Sequence, residues 1–111
     1  MSNGCWRCAR KVAELTALEL STELVEHYLG LTTSALEQAT PLVETGSEDG
    51  DRLASMLTMA KDYLGDAEHF RDRGDLLRAY GAANYAHAWI DAAVRIGFLD
   101  GHGDDDLFTL P

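Results

Sequence analysis

The chain has 111 residues, 46% of them hydrophobic and 25% charged, which suits one globular domain whose core needs neither disulfides nor a metal as staples. No apolar run approaches the roughly 20 residues that span a bilayer, and Met1-Ser2-Asn3-Gly4 lacks the basic start and apolar stretch of a secretory signal, so the expected compartment is the cytoplasm and no membrane is expected as partner. Nineteen acidic residues against nine basic ones leave a formal charge of -10, which argues against a sequence-independent grip on nucleic-acid phosphates, a contact that needs clustered Lys and Arg.

Residues 1–20 read as an N-terminal extension, helical in part, that carries a C-x-x-C, Cys5-Trp6-Arg7-Cys8. Val12, Leu15 and Leu18 repeat at helical spacing. A helix unbroken from Cys8 to Ala39 would span roughly 48 Å, against roughly 35 Å for either later helix, so this part would overhang or fold back. The first helix of the domain proper carries the stripe Leu24, Tyr28, Leu31, Ala35, Ala39, Leu42. Pro41 lacks an N–H and disfavours helical geometry at Thr40. The helix is therefore expected to end near Ala39, followed by one kinked turn with Thr40 as cap and Pro41 in its first position.

A turn at 46–51 leads into a second helix, capped by Asp49 or Asp51 and running to about residue 73. Leu53, Met56, Leu57, Ala60, Tyr63, Leu64, Ala67 and Phe70 follow each other in steps that keep them on one helical face. Gly74 closes this helix, Arg71 and Arg73 suit its negative end, and Asp75 caps the next at once. A junction this short makes the third helix, about 75–97, an antiparallel neighbour. That helix bears two stripes, Leu76, Tyr80, Ala83, His87, Ile90, Val94 and Ala79, Ala82, Ala86, Trp89, Ala93, Ile96, and so is apolar on two sides. Gly97 and Phe98 make a Schellman-type stop. The predicted fold is all-α: a three-helix bundle over 21–99, with the hairpin of 51–73 and 75–97 packed on an N-terminal helix. The remainder, 100–111, with its two glycines and Asp104-Asp105-Asp106, reads as a flexible acidic tail.

The segments Tyr63-Leu64-Gly65-Asp66-Ala67-Glu68-His69-Phe70, Gly74-Asp75 and Tyr85-Ala86-His87-Ala88-Trp89-Ile90-Asp91-Ala92-Ala93-Val94-Arg95-Ile96-Gly97 together resemble the archaeal domain-of-unknown-function family numbered 357, over roughly Ser21 to Leu99. The resemblance implies a three-helix bundle and an archaeal source, and it implies no activity. Charge points the same way on source. Asp outnumbers Glu, only Lys11 and Lys61 are lysines, and the other seven cations are arginines. Such a surface repels itself over a Debye length of about 10 Å at 0.1 M salt and about 3 Å at 1 M, so it fits a halophile's cytoplasm, the alternative being an ordinary acidic mesophilic protein.

Two groups of polar residues are candidates for chemistry. A structural zinc takes four ligands, so Cys5 and Cys8 are half a site within one chain. Three readings stay open: an unliganded pair, two chains pooling their cysteines into a shared zinc site or a disulfide, and a redox pair, the last without the βαβ setting such motifs use. The second group spans the hairpin: Asp62, Asp66, His87 and Asp91. An antiparallel register centred on Gly74 levels Asp62 with Ala86, beside His87, and bundle metal sites are built from His and carboxylates on facing helices. The plainer reading has Asp62 and Asp66 solvated and His87 bonded to Asp91 one turn on, with Arg95 paired to Asp91.

Tyr85, Trp89 and Arg95 form a candidate interaction surface. Trp89, beside alanines, reads first as core; Tyr85 points away from both stripes and is the better surface group. No nucleophile elbow, phosphate-binding glycine loop or zincin His pair is present. The expectation is a non-enzymatic protein-interaction module that docks onto another protein or onto itself as a homodimer. The alternative is a small metal- or ligand-binding helical protein.

Overall fold

A computed structural model describes residues 20–111. Three helices carry the fold: α1, Thr22–Gln38; α2, Glu48–Asp72; and α3, Leu76–Arg95. Two residues at β1, Thr40–Pro41, pair antiparallel with two at β2, Leu99–Asp100. The all-α three-helix bundle is as the sequence predicts.

Each helix begins on a side chain that replaces a missing backbone partner. Ser21 Oγ accepts from Leu24 N at 3.1 Å, and Asp75 Oδ1 accepts from Arg78 N at 3.2 Å. For α2 the cap is Ser47, whose Oγ accepts from Gly50 N at 3.0 Å, rather than Asp49 or Asp51. Those carboxylates lie inside the first turn instead, where the positive end of the helix favours them. The turns after α2 and α3 use the left-handed conformation open to glycine, at Gly74 (φ 80°) and Gly97 (φ 84°). Asp75 N then donates to Phe70 O, and Phe98 N to Ala93 O, both at 2.9 Å.

The expected kinked turn at Thr40 does not form. Proline restricts Thr40 to extended geometry, and the chain spends that geometry on pairing with β2; Leu42 N continues the link by donating to Phe98 O at 2.9 Å. The expected α1 stripe is also displaced by about one position. Val25, Leu29, Thr32 and Ala35 are buried, whereas Leu24 and Leu42 are exposed.

The hairpin packs along an alanine seam. Ala60 and Ala67 on α2 and Ala79, Ala83, Ala86 and Ala93 on α3 are buried. Small side chains let the two backbones approach closely over the full hairpin. Tyr63 and Tyr85 meet edge to face at 4.5 Å between ring centroids, the register that a turn centred on Gly74 predicts. α1 lies mainly along α3 and touches α2 less. It closes one end of the core with Val25 and Leu29 against Ala67, Ala79 and Ala83, and helps close the other with Ala35 against Ile90.

The segment after β2 is not a free tail. Leu107 and Phe108 are buried, at 8% and 3% exposure, in the same cluster as Ile90, Val94 and Leu99. The acidic run turns at Asp104, whose Oδ1 accepts from Asp106 N and Leu107 N. That turn keeps the carboxylates toward solvent and sends the apolar pair inward. Among the described residues, no helix is long and apolar enough to cross a membrane.

Candidate functional site

Three polar residues of α3, one turn apart, hold the C-terminal segment. His87 Nε2 donates to Leu107 O at 2.6 Å. Asp91 accepts from Thr109 twice, Oδ1 from the backbone N–H at 2.9 Å and Oδ2 from the hydroxyl at 3.2 Å. Arg95 Nη1 donates to Leu110 O at 3.1 Å. The geometry follows from two periods. Four helical residues rise about 6 Å, and two extended residues advance about 6.6 Å. Residues 107 and 109 therefore meet 87 and 91 in step.

The imidazole also reaches α1. Its Nδ1 lies 3.1 Å from Oγ1 of Thr32, which is 1% exposed. A carbonyl only accepts, so the contact with Leu107 places a proton on Nε2, and in the neutral ring Nδ1 accepts from the threonine hydroxyl. The same hydroxyl lies 3.2 and 3.4 Å from the carbonyls of Tyr28 and Ala83, each of which has a second lone pair beside its helical bond. His87 thus ties α1, α3 and the C-terminal segment at one point. A cleft of about 220 Å³ opens beside it, lined in part by Tyr28, Thr32, Asn84, Asp91 and Asp106.

The four-residue polar patch is not assembled. His87 and Asp91 are together, Nε2 to Oδ1 at 3.8 Å, but the shorter bond of Nε2 goes to Leu107. Asp62 and Asp66 are exposed on α2 and take no part in lining that cleft. His87 faces α1, on the other side of α3 from Tyr63 and its neighbours. Levelling residues along the hairpin sets their height, not the face on which they emerge. Among the described residues, no group of three or more His, Cys, Asp or Glu side chains is placed to hold a metal ion. Cys5 and Cys8 lie outside the described residues. The anticipated Asp91–Arg95 pair is replaced by bonds from both residues to the C-terminal segment.

Residues missed in the sequence are Thr32, Leu107, Phe108 and Thr109. The signal for them was the apolar pair Leu107-Phe108 directly after an aspartate run, a pattern in which Asp104 can turn the chain.

The proposed surface residues divide. Arg95 is exposed and serves the segment just described. Tyr85 is 46% exposed, and Trp89 is half-buried, its ring edge to face with Tyr85 at 6.2 Å. They belong to a larger face. At 100° per residue, Tyr85, Trp89, Ala92 and Ile96 line α3 on the side away from α1, and Met56, Met59, Tyr63 and Phe70 line the adjoining side of α2. Ala92 and Ile96 are exposed, the latter at 56%, and a shallow apolar hollow lies among Tyr85, Ala88, Trp89 and Ala92. Arg78 ends this face by stacking over Phe70, 5.8 Å from the ring centroid.

A family model described as Protein of unknown function (DUF357) matches residues 27–99. No curated protein and no solved structure matches the chain.

Proposed function

We propose that this chain, which belongs to the DUF357 family of unknown function, is a non-enzymatic protein-interaction module that docks a partner on the side of its α2–α3 hairpin that α1 does not cover. The supporting observation is the continuous apolar and aromatic face from Tyr85 to Ile96. In a chain of formal charge -10, an exposed face with so few carboxylates is the exception, and such faces are suited to contact. Aromatic rings held edge to face are pre-ordered anchors, which lowers the entropy lost on binding. The polar residues of the opposite side support no competing catalytic reading, since His87 and Asp91 are engaged in fastening the C-terminal segment. The acidic balance further supports a concentrated-salt cytoplasm as the working solvent.

The test is capture from the native host in native salt, comparing the chain as it stands with Ala92→Glu. A protein retained by the first and lost by the second is the expected result. Identical sets of retained proteins would remove the reading.

A further inference from the structure

Residues 101–111 lie against the bundle as a strap, held and opposed by different forces. Holding it are Leu107 and Phe108, buried with Ile90, Val94 and Leu99, and the bonds to His87, Asp91 and Arg95. Opposing it is charge. The strap carries three of the nineteen acidic residues and none of the nine basic ones, and the rest of the chain is itself acidic. Independently of the docking face, we infer that the strap is a salt-dependent latch: closed in concentrated salt, it opens in dilute salt while the three helices stay folded.

Like charges meet where the strap closes. Asp106 and Asp91 line one cleft beside His87, and no Lys or Arg lines it. Asp100 stands just ahead of the hinge, its carboxylate taking the N–H of His102 at 2.8 Å. Among the described residues, Arg95 is the one Lys or Arg bonded to the strap, and its bond goes to the Leu110 carbonyl rather than to a carboxylate. Repulsion reaches about 10 Å at 0.1 M salt and about 3 Å at 1 M, so concentrated salt leaves the fastening nearly unopposed.

The strap is built to lift by itself. Its hinge is Gly101-His102-Gly103, with φ 56° at His102 and 73° at Gly103. The left-handed value strains a residue that bears a side chain, and His102 relaxes when the hinge moves. Beyond the hinge the turn is internal: Asp104 accepts from the N–H groups of Asp106, Leu107 and Phe108. The helices keep their caps and alanine seam without it, and the family match, residues 27–99, ends before it. A segment with few buried side chains opens at a lower free energy than the domain that carries it. Opening uncovers Ile90, Val94 and Leu99 and removes Asp106 from the wall of the cleft.

Amide exchange of the full chain at fixed pH, in about 0.1 M and about 1 M salt, reads the latch. The expected result is protection at Phe108 and Thr109 that falls about tenfold or more in dilute salt, relative to Ala86 and Ile90. Asp105→Asn with Asp106→Asn, both exposed, restores that protection in dilute salt. Asp66→Asn with Glu68→Gln, an equal loss of exposed charge near the hairpin turn, does not. Protection at Phe108 and Thr109 that follows Ala86 and Ile90 at both salts shows that the strap opens only with the whole domain, and overturns the inference. An equal salt response in the two double variants, whether kept or lost, shows that charge on the strap is not the cause and overturns it as well.

Discussion

His87 Nε2 donates to the carbonyl of Leu107 at 2.6 Å, a bond between an α3 side chain and a backbone twenty residues further on. With Asp91 and Arg95 below it, this bond converts an acidic C-terminal run into a strap that buries Leu107 and Phe108. The strap is part of the core.

Removing the bond at its centre tests this. His87→Ala deprives the Leu107 carbonyl and the Thr32 hydroxyl of a partner, an expected loss of about 1–3 kcal/mol in urea unfolding. Amide exchange should quicken at Leu107, Phe108 and Thr109 more than along the alanine seam of α3. Unchanged exchange at those three amides would show that the strap does not depend on the imidazole.

Asp91→Ala tests the neighbouring fastener. It removes both acceptor oxygens, so the bonds from the Thr109 backbone N–H and hydroxyl are lost together. The expected effect is about 1 kcal/mol, and Thr109→Ala in the same background should add little. Full additivity of the two substitutions would mean that Asp91 acts elsewhere.

Gly101 is required by what crosses over it. A Cβ built there would lie 2.9 Å from Cδ2 of Phe108. Gly101→Ala should destabilise by about 1–3 kcal/mol through overpacking, and Phe108→Ala by about 3–5 kcal/mol through the cavity it leaves. Combined, they should destabilise by clearly less than the sum, because the smaller side chain removes the clash. Thermal melts of the four proteins give the coupling.

The alanine seam predicts intolerance of size. Ala60→Leu and Ala86→Leu insert side chains where both positions are fully buried between α2 and α3. Each should lower stability by about 1–3 kcal/mol, seen as a lower melting temperature. A melting temperature equal to that of the parent would mean that the helices are further apart than the seam implies.

Salt should stabilise the folded chain. The formal charge of -10 repels itself within the folded surface, so the urea midpoint should rise between about 0.1 M and about 1 M salt at a protein concentration too low for association. A midpoint that falls as salt rises would show that attractive ion pairs outweigh the repulsion.

The number of helices, the antiparallel hairpin and the stops at Gly74 and Gly97 were legible in the sequence by itself. Each is a local consequence of periodicity, of a glycine that can turn left-handed, or of a junction too short to do anything but reverse the chain. The height at which Tyr63 meets Tyr85 was legible for the same reason, since the turn sets the register. What lay beyond the sequence depended on contacts between distant segments. Thr40 and Pro41 look like the start of a helical turn until β2 offers a partner for extended backbone. His87 and Asp91 look like a site shared with Asp62 until Thr32 and the strap claim them, because register says which residues are level and not which face they leave by. The run 100–111 reads as mobile from its aspartates and glycines, yet tertiary structure alone decides that Leu107 and Phe108 have a cavity to fill. Burial of a few side chains outweighs local composition when the receiving surface is supplied by elements far away in sequence.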